Sequence, residues 1–316
     1  MKAMVLAAGL GTRLRPLTYE IPKPMVPVLD RPVMAHILGL LGRQGFDQVI
    51  SNLHYFPDAV RGYFGDRIEY RFEEELLGTA GGVRNVADFF GDDPVVVVSG
   101  DALTDVDLNA LVERHRSAGG IATLTVKHVD DTREYGVVIH DSEGRIQGFQ
   151  EKPDPAEALS HLGNCGIYCF SPEIFDYFPE APFADWANDV FPALLENDVP
   201  FHIHETTEYW NDVGSLAELR QGTWDALEGK LRIEVTGETD GDPPVWVGHD
   251  VDIGSGVRLM GPVAIGDRCR IGDGCALRDT IVFPGTEVAP GTIAIGAIIG
   301  RGGIVEAMRP LDELGL

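Results

Sequence analysis

Lysine is scarce in this chain: five of 316 residues, at Lys2, Lys23, Lys127, Lys152 and Lys230. Cysteine is rarer still, and Cys165, Cys169, Cys269 and Cys275 fit neither a CxxC zinc pattern nor a small disulfide framework. No apolar run approaches the roughly 20 residues that span a bilayer, and the apolar stretch at 3–8 is too short for a signal-peptide core. There is no Gly-x-Ser-x-Gly sequence, so serine-hydrolase chemistry has no support. Positive charge is short too: 25 Lys and Arg against 50 Asp and Glu give a net charge of −25. Such a surface repels phosphate backbones and anionic lipid, which argues against a nucleic-acid or membrane binder. The expectation from these absences is a reduced, cytoplasmic, soluble protein in which any phosphorylated ligand is met by a few local cations and a metal ion.

Hydrophobic residues make up 44% of the chain, enough for a sizeable core. Short apolar runs at 3–7, 48–52, 68–72 and 95–99 read as strands, and 32–44, 57–64 and 79–90 have helical spacing. Val95-Val96-Val97-Val98 is apolar on both faces, as a central parallel strand covered by helices requires. Further strands follow at 121–127, 136–140, 146–150 and 165–170, with helices at 184–196 and 216–229. The alternation predicts an α/β domain over 1–233 with a Rossmann-like, mostly parallel sheet.

A Gly- and Pro-punctuated linker is expected at 234–244. Beyond it, over 245–300, aliphatic residues recur every six positions: Val247, Ile253, Leu259, Ile265, Ile271 and Leu277, then Phe283, Ala289 and Ile295. A second set runs Val257, Val263, Cys269, Cys275 and Ile281, then Ile293 and Ile299, with Glu287 the exception. No α-helix has this period, whereas stacked three-sided coils do, one short strand and a turn per hexad. About nine hexads make roughly three coils, and Cys269 and Cys275 are expected as small inward residues. A C-terminal tail is expected at 301–316.

The first loop, Leu6-Ala7-Ala8-Gly9-Leu10-Gly11-Thr12-Arg13-Leu14, follows a buried strand, where α/β sheets place ligands. Gly9 and Gly11 allow the backbone to approach an anion closely, and Arg13 adds a planar fork suited to phosphate. It is neither a Walker A loop nor a dinucleotide GxGxxG, since Leu14 stands where the third glycine belongs. Ten residues past Arg13, Pro22-Lys23-Pro24 stiffens the chain around one lysine, as a fixed point charge would need.

Together these motifs resemble the sugar-1-phosphate nucleotidylyltransferases. The resemblance continues through Leu77-Gly78-Thr79-Ala80-Gly81, Gly100-Asp101, Tyr135-Gly136-Val137-Val138, Glu151-Lys152-Pro153, Asn164-Cys165-Gly166-Ile167-Tyr168 and Trp210-Asn211-Asp212-Val213-Gly214. It implies transfer of a nucleoside monophosphate from a nucleoside triphosphate to a sugar 1-phosphate, with release of pyrophosphate. Catalysis is then alignment and charge neutralisation, without a protein nucleophile. On that resemblance Arg13, Lys23, Asp101 and Asp212 are the catalytic residues. Leu6, Ala8, Gly9, Gly11 and Thr12, with Arg13, Lys23, Gly78 and Thr79, would contact the nucleotide. Lys152 would hold the sugar phosphate, and Gly136, Glu151 and Asn164 the sugar. Asp101 and Asp212 would share Mg²⁺, which takes few protein ligands and keeps substrate oxygens and waters. The family commonly carries Ala where Cys165 stands, and left-handed β-helix tails of hexapeptide repeats are common in it.

The string Glu73–Gly81 looks most like the mannose-1-phosphate guanylyltransferases, which implies GTP and mannose 1-phosphate. Glucose 1-phosphate with a thymidine nucleotide, or a cyclitol phosphate, are the alternatives. A non-catalytic subunit that senses nucleotide sugars would show erosion at Arg13, Lys23, Asp101 or Asp212, and none is eroded. An acyltransferase built on the coils lacks an inserted loop and a histidine base. Asp105 and Asp107 read as turn and cap residues. His202 and His204 share one strand face without an apparent third ligand. The coils could also carry subunit contacts in a homo-oligomer.

Overall fold

The computed structural model describes residues 1–301 and 303–307, so the expected tail at 301–316 lies mostly outside the described residues. The chain divides into two compact units. One comprises Met1–Leu10, Pro22–Pro24 and Ile37–Asp212; the other comprises Gly11–Ile21, Met25–His36 and Val213–Leu316.

The first unit is built on a nine-stranded sheet. Its centre is four parallel strands: β1 (Lys2–Leu6) between β2 (Gln48–Leu53) and β4 (Val95–Ser99), with β3 (Glu69–Phe72) outside β2. Val95 to Val98 are at most 2% exposed, as a strand covered on both faces must be. Next to β4 runs β7 (Leu162–Phe170), antiparallel to it. It also pairs with β5 (Ala122–His128) and touches the hairpin of β6a (Gly136–His140) and β6b (Ile146–Glu151). Strand β8 (Phe201–Glu205) lies parallel to β5 at the sheet's edge. The Rossmann-like, mostly parallel centre agrees with the expectation.

Two expected helices are interrupted. The 79–90 stretch splits into Gly78–Arg84 and Ala87–Phe90. The Arg71 guanidinium takes the Asn85 carbonyl at 3.0 Å, while the Phe89 amide bonds one residue short, to Val86. The 184–196 stretch begins as one π-helical turn, Trp186–Val190, before Phe191–Glu196 starts with Pro192 in its first turn. The strand expected at 165–170 starts earlier, at Leu162, and is bulged between Asn164 and Tyr168, with Gly166 at φ +68°.

In the second unit, residues 245–300 form three parallel ladders. Val245–Val247, Arg258–Ile265, Ala276–Val282 and Ala297–Gly300 stack on one path, and Ile293–Ile295 adds to Ala276–Val282. Asp252–Ile253, Arg270–Ile271 and Glu287–Val288 stack on another. Asp252 faces Arg270, 18 residues on; Arg270 then faces Glu287, 17 residues on.

That lost residue corrects the six-residue phase. The core cluster holds Val263, Ile265, Cys269, Ile271, Cys275 and Leu277, and then Val282, Val288 and Ala294 in place of Phe283, Ala289 and Ile295. Ala289 and Ile293, expected inward, are exposed. The slip arises at the corner where Met260 faces Arg278 but Val263 faces Thr280, with Asp279 turned into the left-handed region at φ +50°. Glu287 is thereby an outward residue, accepting a hydrogen bond from Arg270 at 3.3 Å. Cys269 and Cys275 are core residues, at 1% and 0% exposure.

Candidate active site

The carboxyl ends of β1, β2 and β4 carry the site's first group. Leu6 ends β1, and Ala8 is buried just beyond it, with Gly9 exposed in the loop. Gly100 follows β4 and donates its N–H to the Leu6 carbonyl at 2.8 Å. A Cβ at Gly100 would stand 2.3 Å from that oxygen, so no other residue fits between the two loops. The next residue, Asp101, is thereby fixed at the edge of the sheet.

Asp101 is held on both carboxylate oxygens. The Lys23 ammonium bonds Oδ2, and the Ser99 hydroxyl donates to Oδ1 at 2.6 Å. The Lys23 and Asp101 side chains are only 14% and 19% exposed, so this pair is far less screened than a surface ion pair. Burial pushes the Asp101 carboxyl up, but the Lys23 charge and the hydrogen bonds from Lys23 and Ser99 outweigh it. The group therefore ionises below the usual carboxylate range. Asp212 joins it through a two-stranded ladder, Trp210–Asp212 against Ala102–Thr104, in which Asp212 lies opposite Ala102, the neighbour of Asp101. Residues 110 apart in sequence thus share one short ladder.

The second group surrounds Gly136. Glu151 pairs with Gly136 in the hairpin register, and a Cβ at Gly136 would meet Glu151 Oε2 at 3.1 Å. Lys152, at φ +48°, turns out of the strand, its amide bonded to the Tyr135 carbonyl. Its ammonium lies 3.9 Å from Glu151 Oε1 with both side chains exposed, an ion pair worth little in water. Asn164 sits at the bulge of β7, accepting from the Gly166 amide and donating to the Tyr168 hydroxyl at 3.0 Å. Cys165 is buried, which pushes its thiol well up, and its carbonyl accepts from the Trp210 indole at 3.0 Å. The Trp210 ring packs 5.2 Å from Tyr135, tying this group to the Asp212 strand.

Gly78 and Thr79 open their helix against the segment before Trp186. The Ala80 and Gly81 amides both donate to the Ala184 carbonyl, and a Cβ at Gly78, φ +79°, would stand 2.3 Å from that oxygen. The Thr79 hydroxyl donates to Asp185 at 2.7 Å and accepts from the Trp186 amide. Thr79 therefore spends its hydroxyl on anchoring, which leaves backbone contacts for a ligand.

Gly11, Thr12 and Arg13 belong to the second unit. Gly11 takes φ +63° ahead of the single 3-10 turn Thr12–Leu14, and the Thr18 hydroxyl clamps its carbonyl at 2.8 Å. The Arg13 guanidinium lies so close to Gly214 that a Cβ there would meet both its terminal nitrogens at 3.0 Å. Gly214, in turn, is two residues past Asp212.

Sequence reasoning missed a buried relay. Asn52, 2% exposed, accepts the Ala7 amide at 2.9 Å and donates to Glu73 at 2.8 Å. Glu73, also 2% exposed, accepts the Leu77 amide on its other oxygen. The signal for it was Ser51-Asn52 inside an apolar strand, a polar pair that only a partner could justify. Asp107 caps Leu108–Ala118 by accepting the Ala110 amide at 2.9 Å. Among the described residues no group of three or more His, Cys, Asp or Glu gathers as metal ligands, His202 and His204 included. Nor, among them, is any helix long and apolar enough to cross a membrane.

Residues 2–229 match the family model described as nucleotidyl transferase. A UTP–glucose-1-phosphate uridylyltransferase of Synechocystis sp. is 39% identical over 313 residues, 85% of this chain and 79% of that protein. A mannose-1-phosphate guanylyltransferase of Mycobacterium tuberculosis is 34% identical over 286 residues, 83% of this chain and 79% of its own length. Among solved structures, a Bacillus anthracis protein assigned as a glucose-1-phosphate thymidylyltransferase and crystallised with sucrose superposes with a TM-score of 0.65 at 25% identity. That alignment covers 74% of this chain and 97% of the other.

Proposed function

The chain belongs to the nucleotidyl transferase family and is a sugar-1-phosphate nucleotidyltransferase; from that premise we propose that it joins GTP to mannose 1-phosphate, releasing pyrophosphate. The observation that carries the reading of the site is the Lys23–Asp101 pair at the carboxyl edge of the sheet, with Asp212 one ladder position away. Lys23 and Arg13 would neutralise the triphosphate, Leu6, Ala8, Gly9, Gly11 and Thr12 would line it, and the Gly78–Thr79 backbone would face the base. Lys152 would meet the sugar phosphate, and Gly136, Glu151 and Asn164 the hydroxyls. Two substrates that repel each other are then aligned by fixed cations rather than by a nucleophile.

Two carboxylates, Asp212 in the ladder opposite Ala102 and Asp101 just before Ala102, would suit Mg²⁺, a hard cation that prefers oxygen. Asp101 and Asp212 would hold it, and when bound it supplies further neutralisation of phosphate oxygens. Lys23 bonds Asp101 Oδ2 in the structure, so a cation held by Asp101 would weaken that pair and leave the Lys23 ammonium available to phosphate.

Support for GTP and mannose comes from Glu73–Gly81 and from the relatives named guanylyltransferases. A second reading, UTP and glucose 1-phosphate, is favoured by the 39% identical Synechocystis relative. A matrix of five nucleoside triphosphates against several sugar 1-phosphates, read by pyrophosphate release, decides between them. The highest kcat/KM for GTP with mannose 1-phosphate is expected; a best pair with another base or sugar overturns the choice.

For residues 245–300 our reading is a short left-handed β-helix of hexad coils, with 1–233 as the catalytic domain and 234–244 as the linker. Parallel pairing at 17–18 residues supports it. Coils of this kind could join copies of the chain; a truncation to residues 1–230 should then change the number of subunits per particle in light scattering, and an unchanged number would count against it.

A further inference from the structure

Arg13 carries a long, exposed side chain on a single 3-10 turn, Thr12–Leu14. The backbone of that turn is fixed, since Gly11 takes φ +63° and the Thr18 hydroxyl holds its carbonyl at 2.8 Å. An arginine side chain has several rotatable bonds, so a fixed backbone alone does not set the direction of its fork. A further group must hold the fork if it is to meet a phosphate in one orientation.

Glu218 stands at that place. It lies in the first turn of the helix Leu216–Leu227, which Ser215 caps by accepting the Glu218 amide at 3.2 Å. Ser215-x-x-Glu218 is the pattern of a capping box, a role that Glu and Gln fill equally. Yet Glu218 Oε2 is shielded from water, and a carboxylate oxygen so placed is costly without a cation beside it. Arg13 supplies one. A Cβ at Gly214 would stand 2.9 Å from Glu218 Oε2 and 3.0 Å from each terminal nitrogen of Arg13, so acid and guanidinium converge on one buried glycine. Gly214 lies outside the left-handed region, so its backbone conformation does not call for glycine. The space beside its Cα does.

We propose that Glu218 is a positioning residue of the transferase: its carboxylate holds the Arg13 guanidinium at Gly214, in the direction from which it meets the triphosphate. The role rests on the reading of Arg13 as a triphosphate ligand. Glu218 touches no substrate; it spares Arg13 the ordering that would otherwise accompany the arrival of phosphate. In a chain whose net charge is −25, an unguided arginine would have many other carboxylates to meet.

Steady-state pyrophosphate release with the best pair from the substrate matrix tests this. Glu218→Gln keeps the cap but removes the charge, so kcat/KM for the triphosphate should fall about tenfold, with the melting temperature unchanged within about 3 °C. KM for the sugar 1-phosphate should stay as it is. Gly214→Ala, which drives a methyl group between the intact acid and guanidinium, should lower kcat/KM for the triphosphate to a similar degree. Adding Glu218→Gln to Arg13→Ala should cost nothing beyond Arg13→Ala alone. A Glu218→Gln enzyme with unaltered kinetics overturns the proposal, and so does a loss that adds in full to that of Arg13→Ala. A lower KM for the triphosphate in Glu218→Gln would make the carboxylate a competitor of phosphate, and overturns it too. If Arg13→Ala itself leaves kcat/KM unchanged, the reading of Arg13 fails first, whatever Glu218 does, and the proposal falls with it.

Discussion

Asn52 donates from Nδ2 to Glu73 Oε1 at 2.8 Å, and this one bond, buried at 2% exposure on each side, links the Ala7 loop to the Leu77–Gly78 turn. The side that would grip phosphate and the side that would face the base are therefore set by the same two side chains. A Cβ at Gly82 would stand 2.7 Å from Asn52 and 2.9 Å from Glu73, so the helix packs directly over the bond.

Asn52→Leu removes the acceptor of the Ala7 amide and strands the Glu73 carboxylate. Leaving buried polar groups unpaired costs about 1–3 kcal/mol each. The expected outcome is a lower urea midpoint and a KM for the nucleoside triphosphate raised tenfold or more, in steady-state pyrophosphate release. An unchanged KM would show that the relay supports folding alone.

Lys23→Met leaves Asp101 without its cation in a nearly desolvated place. Turnover should fall a hundredfold or more, with a loss of about 1–3 kcal/mol in stability. The pair Lys23→Met with Asp101→Asn should regain stability without regaining activity. Recovery of both would mean that the pair is only a structural ion pair.

Asp101→Asn and Asp212→Asn should each abolish divalent-dependent pyrophosphate release while the far-UV circular dichroism stays the same. Titrating Mg²⁺ against the unaltered protein should show activity lost on chelation and restored on its return. Near-normal rates in either variant would remove that residue from the metal assignment.

Gly100→Ala places a methyl group 2.3 Å from the Leu6 carbonyl, a backbone atom that cannot step aside. Overpacking of this kind costs about 2–3 kcal/mol. Thermal unfolding should shift downward, and turnover should fall with it because Asp101 follows directly in the chain.

His115 is buried between Thr123 Oγ1 and Ser171 Oγ, each 3.0 Å from a ring nitrogen. Burial, with the Arg116 charge second, brings its pKa down from 6.5 to about 4. The unfolded chain then binds more protons than the folded one between those values, so stability falls as pH drops from about 6.5 to 4. The contribution is on the order of 3 kcal/mol. Urea midpoints for His115→Gln should show a flatter slope across that window, and an identical slope would contradict the assignment.

Periodicity was enough to find the central strands, because Val95–Val98 has no polar face to offer water and must lie between two layers. The braced segment Pro22-Lys23-Pro24 singled out Lys23 within the chain itself, whereas Asp101 was singled out only by the resemblance, and it is the fold that makes the two an ion pair. Asn52 was legible as a polar residue in an apolar strand that needs a partner, but Glu73, 21 residues on, was not legible as that partner, because the two become neighbours only when β2 and β3 pair. Past Leu277 the six-residue phase still marked Ile281, Phe283, Ile295 and Ile299, which are buried, but not Ala289 and Ile293, which are exposed, because a corner residue at Asp279 absorbs one position without leaving a composition signal. What the chain determines by itself is which residues must be buried and which bear charge. What the tertiary structure decides is which distant polar groups meet, since a buried hydrogen bond depends on register and approach that no local pattern encodes.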